Sequence, residues 1–141
     1  MRSKTILTTV FALCLLTGVA TAGSLDGKTF TVMIDDPTVE EPYEDTLIFE
    51  DGKFRSVACD EYGFDWAPYT TQPMAGGIVR FEVTAESEEE GTNHWVGKVA
   101  NDGIKGEFTW TKEGQEPIEY SFEGAIAEEE AADEEMSTDG P

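Results

Sequence analysis

The chain is poor in cysteine and histidine: Cys14, Cys59 and His94 are the whole supply in 141 residues. Cys14 sits in an apolar N-terminal run, so past residue 22 only Cys59 remains and no intramolecular disulfide can staple the domain. A single Cys and a single His also make a thin first shell for zinc, which takes three or four such ligands. Cationic side chains are scarce as well, with nine Lys and Arg against thirty Asp and Glu, a formal net charge of −21. That field repels nucleic acid and anionic lipid and sets both aside as partners; it favours cations, cationic partners or solubility in a saline habitat. After residue 22 no apolar run approaches the roughly 20 residues of a spanning helix, so no integral membrane segment is expected there. A sustained helical period is missing too, which excludes a helical domain.

The N-terminus carries what the rest lacks. Arg2 and Lys4 form a positive region, Thr5 to Val19 an apolar one, and Ala20-Thr21-Ala22 a small-residue cleavage site, so residues 1–22 read as a signal peptide and the protein as exported, periplasmic or secreted. Cys14 lies mid-way along the apolar region behind Leu13, which does not fit a lipid-modification site. Removal of Arg2 and Lys4 leaves seven basic residues against thirty acids, a net charge of −23. Residues 23–127 are expected to form one domain around one core. Residues 128–141 are half acidic without an aromatic, the composition of a disordered tail.

Between these segments the period is two. Phe30, Val32 and Ile34 alternate with Thr29, Thr31 and Met33, Val79, Phe81 and Val83 share one face, Trp95, Gly97 and Val99 alternate with His94, Val96 and Lys98, and Ile118, Tyr120, Phe122 and Gly124 complete the apolar face. Asp35 to Asp45, with two prolines and six carboxylates, reads as a solvated loop. Asp51-Gly52 between alternating runs is a type I′ hairpin signal that sets Glu50 opposite Lys53 and Phe49 opposite Phe54. In that register Leu47, Phe49, Phe54, Ser56 and Ala58 face inward, whereas Arg55, Val57 and Cys59 face out unless a bulge follows Ser56. Centring the later turn on Asp102-Gly103 pairs Val99 with Gly106, Gly97 with Phe108 and Trp95 with Trp110. The sum is an all-β, antiparallel up-and-down meander of about eight strands, which escapes wet apolar faces and bare edges by closing into a small barrel; a two-sheet β-sandwich is the alternative.

The stretch from Phe54 to Tyr69, FRSVACDEYGFDWAPY, does not alternate and concentrates aromatics around Cys59 and Gly63. It is expected to fold from Asp60 to Tyr69 as an aromatic lid over one barrel end, anchored by Cys59, with Gly63 allowing the turn between Tyr62 and Phe64. Cys59 itself has three open roles: a buried small hydrophobe, an intermolecular pairing partner or a reactive thiol. The candidate ligand-binding residues are Arg55, Cys59, Tyr62, Phe64, Trp66, Tyr69, Trp95 and Trp110, with Arg55 as the cation for an anionic headgroup or a stacking partner. Phe49, Phe81, Phe108, Tyr120 and Phe122 share the inner face with Phe54 and the two strand tryptophans. Cys59 and His94 are the one nucleophile-and-base pair the composition allows, but no local signature surrounds Cys59 and nothing indicates a group to orient His94. No catalytic, metal or cofactor site is therefore assigned. The acidic loops at Asp35–Asp45 and Glu86–Glu90 lack EF-hand spacing and read as solvated. The leading expectation is an exported binding module for a small apolar or amphipathic molecule; a structural or protein-interaction domain with a protein partner comes second, and a cation-binding acidic protein third.

The order of elements resembles the up-and-down barrels of the lipocalin or calycin type, with Leu25-Asp26-Gly27-Lys28-Thr29-Phe30 in place of the lipocalin Gly-x-Trp. Asp26 to Phe30 (DGKxF), Asp51 to Tyr69 (DGKFRSxxCxxYGFxxAPY), Trp95 to Val99 (WxGxV), Ile104 to Gly106 (IxG), Thr109 to Lys112 (TWTK) and Pro117 to Tyr120 (PIEY) resemble a family of small exported bacterial proteins of unknown function. The resemblance spans nearly the whole domain. It implies export and the barrel, and carries no activity.

Overall fold

The computed structural model describes residues 24–127; the signal-peptide and acidic-tail expectations lie outside the described residues. Eight strands follow in order: β1 (Thr29–Asp35), β2 (Tyr43–Glu50), β3 (Lys53–Ser56), β4 (Ala67–Pro73), β5 (Val79–Ser87), β6 (Gly91–Ala100), β7 (Gly103–Thr111) and β8 (Ile118–Ile126). Each pairs antiparallel with the next, and β8 pairs back onto β1, so the sheet is a closed up-and-down barrel and not a sandwich. Closure removes both edges, whose backbone donors would otherwise lie open.

Alternation places the core as the sequence implies. Phe30, Val32, Ile34, Leu47, Phe49, Phe54, Phe81, Val83 and Trp95 are all buried inside the barrel. Phe49 is their hub, with ring centroids of Phe54, Tyr69 and Phe81 at 5.2, 5.0 and 5.1 Å in edge-on geometries. Such pairs add about 0.5–1.5 kcal/mol each beyond the area they bury. The β2–β3 hairpin takes the expected register, Glu50 opposite Lys53 and Phe49 opposite Phe54, with Asp51 and Gly52 at φ of 52° and 74°.

The β6–β7 hairpin differs from the expectation by one residue in turn position. Asn101, at φ 55°, takes the left-handed corner, and Ala100 pairs with Gly103. Asn tolerates that conformation, so the turn centres on Asn101-Asp102 and Gly103 joins the ladder. As a result Gly97 faces Gly106, Val99 faces Ile104, and Trp95 faces Phe108 instead of Trp110. The room supplied by the glycines is used by the flanking strands: a Cβ on Gly97 would lie 2.6 Å from the Phe81 ring, and one on Gly106 would lie 2.2 Å from Val96 O and 2.8 Å from the Phe122 ring. Both rings therefore need the bare backbone beneath them.

The two barrel ends are finished differently. At the end bearing the Asp51-Gly52 turn, Leu25 is buried and the chain before β1 folds back on β2, with Gly27 N–H donating to Phe49 O and Phe49 N–H to Lys28 O. At the other end the connection between β3 and β4 crosses towards the tops of β5 and β6. The β3–β4 ladder beneath it has two register pairs, Lys53–Pro68 and Phe54–Ala67, against nine in β6–β7. This seam is where the barrel wall is thinnest.

Candidate functional site

The crossing segment starts where β3 stops. Val57 to Tyr62 is a short 3-10 helix that ends on Gly63 at φ 85°, the sharp turn expected there, and Phe64 to Trp66 lead into β4. Its start is fixed by Asp45, which the composition had assigned to a solvated loop. β2 in fact begins at Tyr43, and its alternation drives Asp45 inward to 4% exposure. There the carboxylate accepts from Ser56 Oγ, Ala58 N–H and Thr46 N–H. Burial raises its pKa, and these hydrogen bonds pull the other way by favouring the charged form. Further ties are the Arg55–Asp60 ion pair and the Ser87 hydroxyl donating to Tyr62 O at 2.7 Å.

Beside this lid lies a cavity of about 700 Å³, within the range that takes small organic ligands. Phe64, Phe108, Trp110 and Tyr120 line it together with Tyr43 and Tyr62, and Cys59 and Asn93 supply the polar inner wall. Trp95, Phe108 and Tyr120 form a ladder of rings from core to mouth, with centroid separations of 4.0 and 4.4 Å and interplanar angles of 22° and 4°. Trp110 is held by its indole N–H, which donates to Glu90 O. Of the six exposed large hydrophobic side chains among the described residues, four (Val39, Tyr43, Val57 and Tyr62) line this cavity. The apolar surface left open is thus gathered at one place.

Asn93 stands on β6 between Ala85 and Trp110 on the flanking strands and is 3% exposed. Its Nδ2 lies 3.6 Å from Cys59 Sγ, and its Oδ1 has no hydrogen-bond partner among the described residues. An unsatisfied buried acceptor of this kind costs about 1–3 kcal/mol. Cys59 packs against the core, inward where a continued strand would have turned it out, because β3 ends at Ser56. Burial, then the charges of Asp45 and Asp60, push its thiol up to about 11, against hydrogen bonds from Ser56 and Asn93 that lower it. Burial likewise raises Tyr43 and Tyr120, with Asp36 adding to both.

The eight sequence candidates divide evenly. Cys59, Tyr62, Phe64 and Trp110 line the cavity. Trp95 is buried in the core below it, stacked on Phe108. Arg55 and Trp66 are on the outer side, where the guanidinium is 5.6 Å from the Trp66 ring centroid and pairs with Asp60. Tyr69 is not lid but wall: it belongs to β4, and its hydroxyl donates to Asp26 Oδ1 at 2.6 Å and accepts from Leu25 N–H at 3.0 Å, towards the plugged end. His94 points outward to Glu82 at 2.6 Å, on the face opposite Asn93, so it and Cys59 are not brought together. Among the described residues no three His, Cys, Asp or Glu side chains converge as a metal-holding group.

Sequence reasoning passed over Asn93, Asp36, Val39 and Tyr43 as site residues. Asn93 had a signal, a polar residue at an inward position in the alternation of β6; Asp36 and Val39 are brought in by the fold of the 36–42 connection, and Tyr43 by the start of β2. The site is that of an eight-stranded up-and-down barrel with a lidded, aromatic-walled cavity. No family model matches the chain, and neither curated proteins nor solved structures yield a match.

Proposed function

We propose that this is an exported binding module that takes a small amphipathic molecule into the lidded cavity and holds it without covalent chemistry. The observation that carries the reading is the cavity itself: aromatic walls, an apolar rim, and a buried amide oxygen at Asn93 with no partner. Ligand sites combine these features, a mostly apolar hollow with few convergent polar groups that fix orientation. Cys59 supports a binding role over a nucleophilic one, since a thiol pushed up to about 11 is almost wholly protonated at neutral pH.

A neutral fluorescent probe, N-phenyl-1-naphthylamine, tests the reading. Its entry should quench Trp110 emission, brighten the probe and raise the unfolding midpoint, by about 2.7 kcal/mol of stabilisation at a hundredfold excess over Kd. Unchanged emission and an unchanged midpoint would replace this reading with the second one, a protein-interaction domain. That alternative draws on the same exposed Val39, Tyr43, Val57 and Tyr62, which would then serve as a docking rim.

A further inference from the structure

The cavity carries information about the charge of its occupant. Four carboxylates line it, Asp36, Asp60, Glu61 and Glu90, and no Lys, Arg or His does. Two are offset from outside, Asp60 by Arg55 and Glu90 by Lys112 at 3.3 Å. Asp36 and Glu61 have no cationic partner among the described residues. The chain's net charge of −21 deepens the same field. An anionic headgroup entering here would meet uncompensated negative charge, and Arg55, the cation the sequence offered for such a group, is engaged by Asp60 on the outer side. A cation meets the reverse: attraction at the rim, then a wall containing the aromatic rings of Tyr43, Trp110 and Tyr120, residue types whose ring quadrupole attracts positive charge.

Independent of the charges is Asn93. It is 97% buried by the 3% exposure of its surface, lines the cavity, and its carboxamide oxygen lacks a donor. An N–H supplied by a ligand would satisfy it. We infer that the cavity is selective for organic cations, an apolar body bearing a protonated primary or secondary amine, with Asp36 and Glu61 attracting the charge and Asn93 Oδ1 accepting an N–H. The inference rests on the cavity being a binding site, and it adds the sign and chemistry of the headgroup.

Four probes with one ring system separate the two claims: 2-(1-naphthyl)ethylamine, its trimethylammonium analogue, 2-(1-naphthyl)ethanol and 1-naphthaleneacetate, titrated calorimetrically into the full chain at neutral pH. The primary amine should bind about tenfold more tightly than the alcohol and the alcohol more tightly than the acid, as expected for charge selection by two carboxylates at a partly solvated rim. The amine's advantage should shrink in 0.5 M salt, on the general ground of screening, and in the Asp36→Asn, Glu61→Gln double variant. These two substitutions remove charge but keep a side-chain carbonyl acceptor at Asp36, which takes the Thr38 N–H and hydroxyl, and at Glu61, and they leave the Asp45, Arg55–Asp60 and Ser87 ties in place. The trimethylammonium probe keeps the charge but has no N–H, and should bind more weakly than the primary amine. Equal binding of amine, alcohol and acid would overturn the cation inference and leave the cavity a binding site. Equal binding of the two cationic probes would remove Asn93 from the recognition. Binding of none of the four would overturn the inference together with the reading beneath it.

Discussion

The two ends of this barrel are built from the same alternating strands and finished in opposite ways. At the plugged end, Asp26 Oδ1 accepts from both Tyr69 Oη and Gly52 N–H, the Tyr69 hydroxyl in turn receives Leu25 N–H, and Leu25 fills the space between. The buried Leu25 N–H and the Tyr69 hydroxyl both have partners in that small network. At the lidded end the barrel spends its polar groups on holding the 3-10 segment, through Asp45, Asp60 and Ser87, and still leaves Asn93 Oδ1 unpaired beside a cavity of about 700 Å³. A satisfied network with filled space is what stability selects; an unpaired acceptor beside an aromatic-lined cavity is a local cost that a ligand can relieve. On the proposed reading, the difference puts the binding site at the lidded end.

Breaking the lid should be the largest single effect. Phe64 is 5% exposed and belongs to the core, so Phe64→Ala is expected to cost about 3–5 kcal/mol, seen as a lower denaturant midpoint. A cost under 1 kcal/mol would mean that the lid is not packed onto the barrel. Next comes Cys59, whose thiol burial pushes up from 9.0 to about 11, so native thiolate is scarcer by about a hundredfold at neutral pH. Maleimide labelling should therefore be at least that much slower in the native protein than in denaturant, and should rise with pH towards the thiol's pKa as thiolate forms. Equal rates in the two states would show that Cys59 anchors nothing.

The plugged end gives a smaller effect. Tyr69→Phe removes one hydroxyl and strands Leu25 N–H, for about 1–3 kcal/mol, and should leave uptake of a cavity probe unchanged. A changed probe affinity would erase the separation between the ends. The smallest effect on stability is expected from Tyr62→Ala, because that ring is 53% exposed at the cavity rim. It should shift the midpoint by no more than about 0.5 kcal/mol while weakening probe binding. Tyr62 and Phe64, neighbours across Gly63, thus divide into a rim residue and an anchor, which the sequence pair alone did not distinguish.

What the sequence determined by itself is local. Period-two alternation specified the inward residues of β1, β5 and β6, since successive side chains in a strand must point to opposite faces. Asp51-Gly52 specified the β2–β3 register, since a two-residue turn with both central residues at positive φ fixes which residues of the two strands stand opposite each other. The failure of Phe54 to Tyr69 to alternate marked the lid, and Gly63 marked its turn. What only the tertiary structure decided is where each inward residue lies along the barrel axis. That is set by the stagger of eight strands around a closed sheet, and a shift of one turn residue at Asn101 moves Trp95 from Trp110 to Phe108. The same stagger leaves Trp95 in the core and Trp110 at the mouth, carries Tyr69 towards the plug, and draws Asp45 under the lid. Asn93 became a site residue for that reason as well: its inward direction is written in β6, but its place beside Cys59 and the cavity depends on a segment thirty-four residues away in the chain.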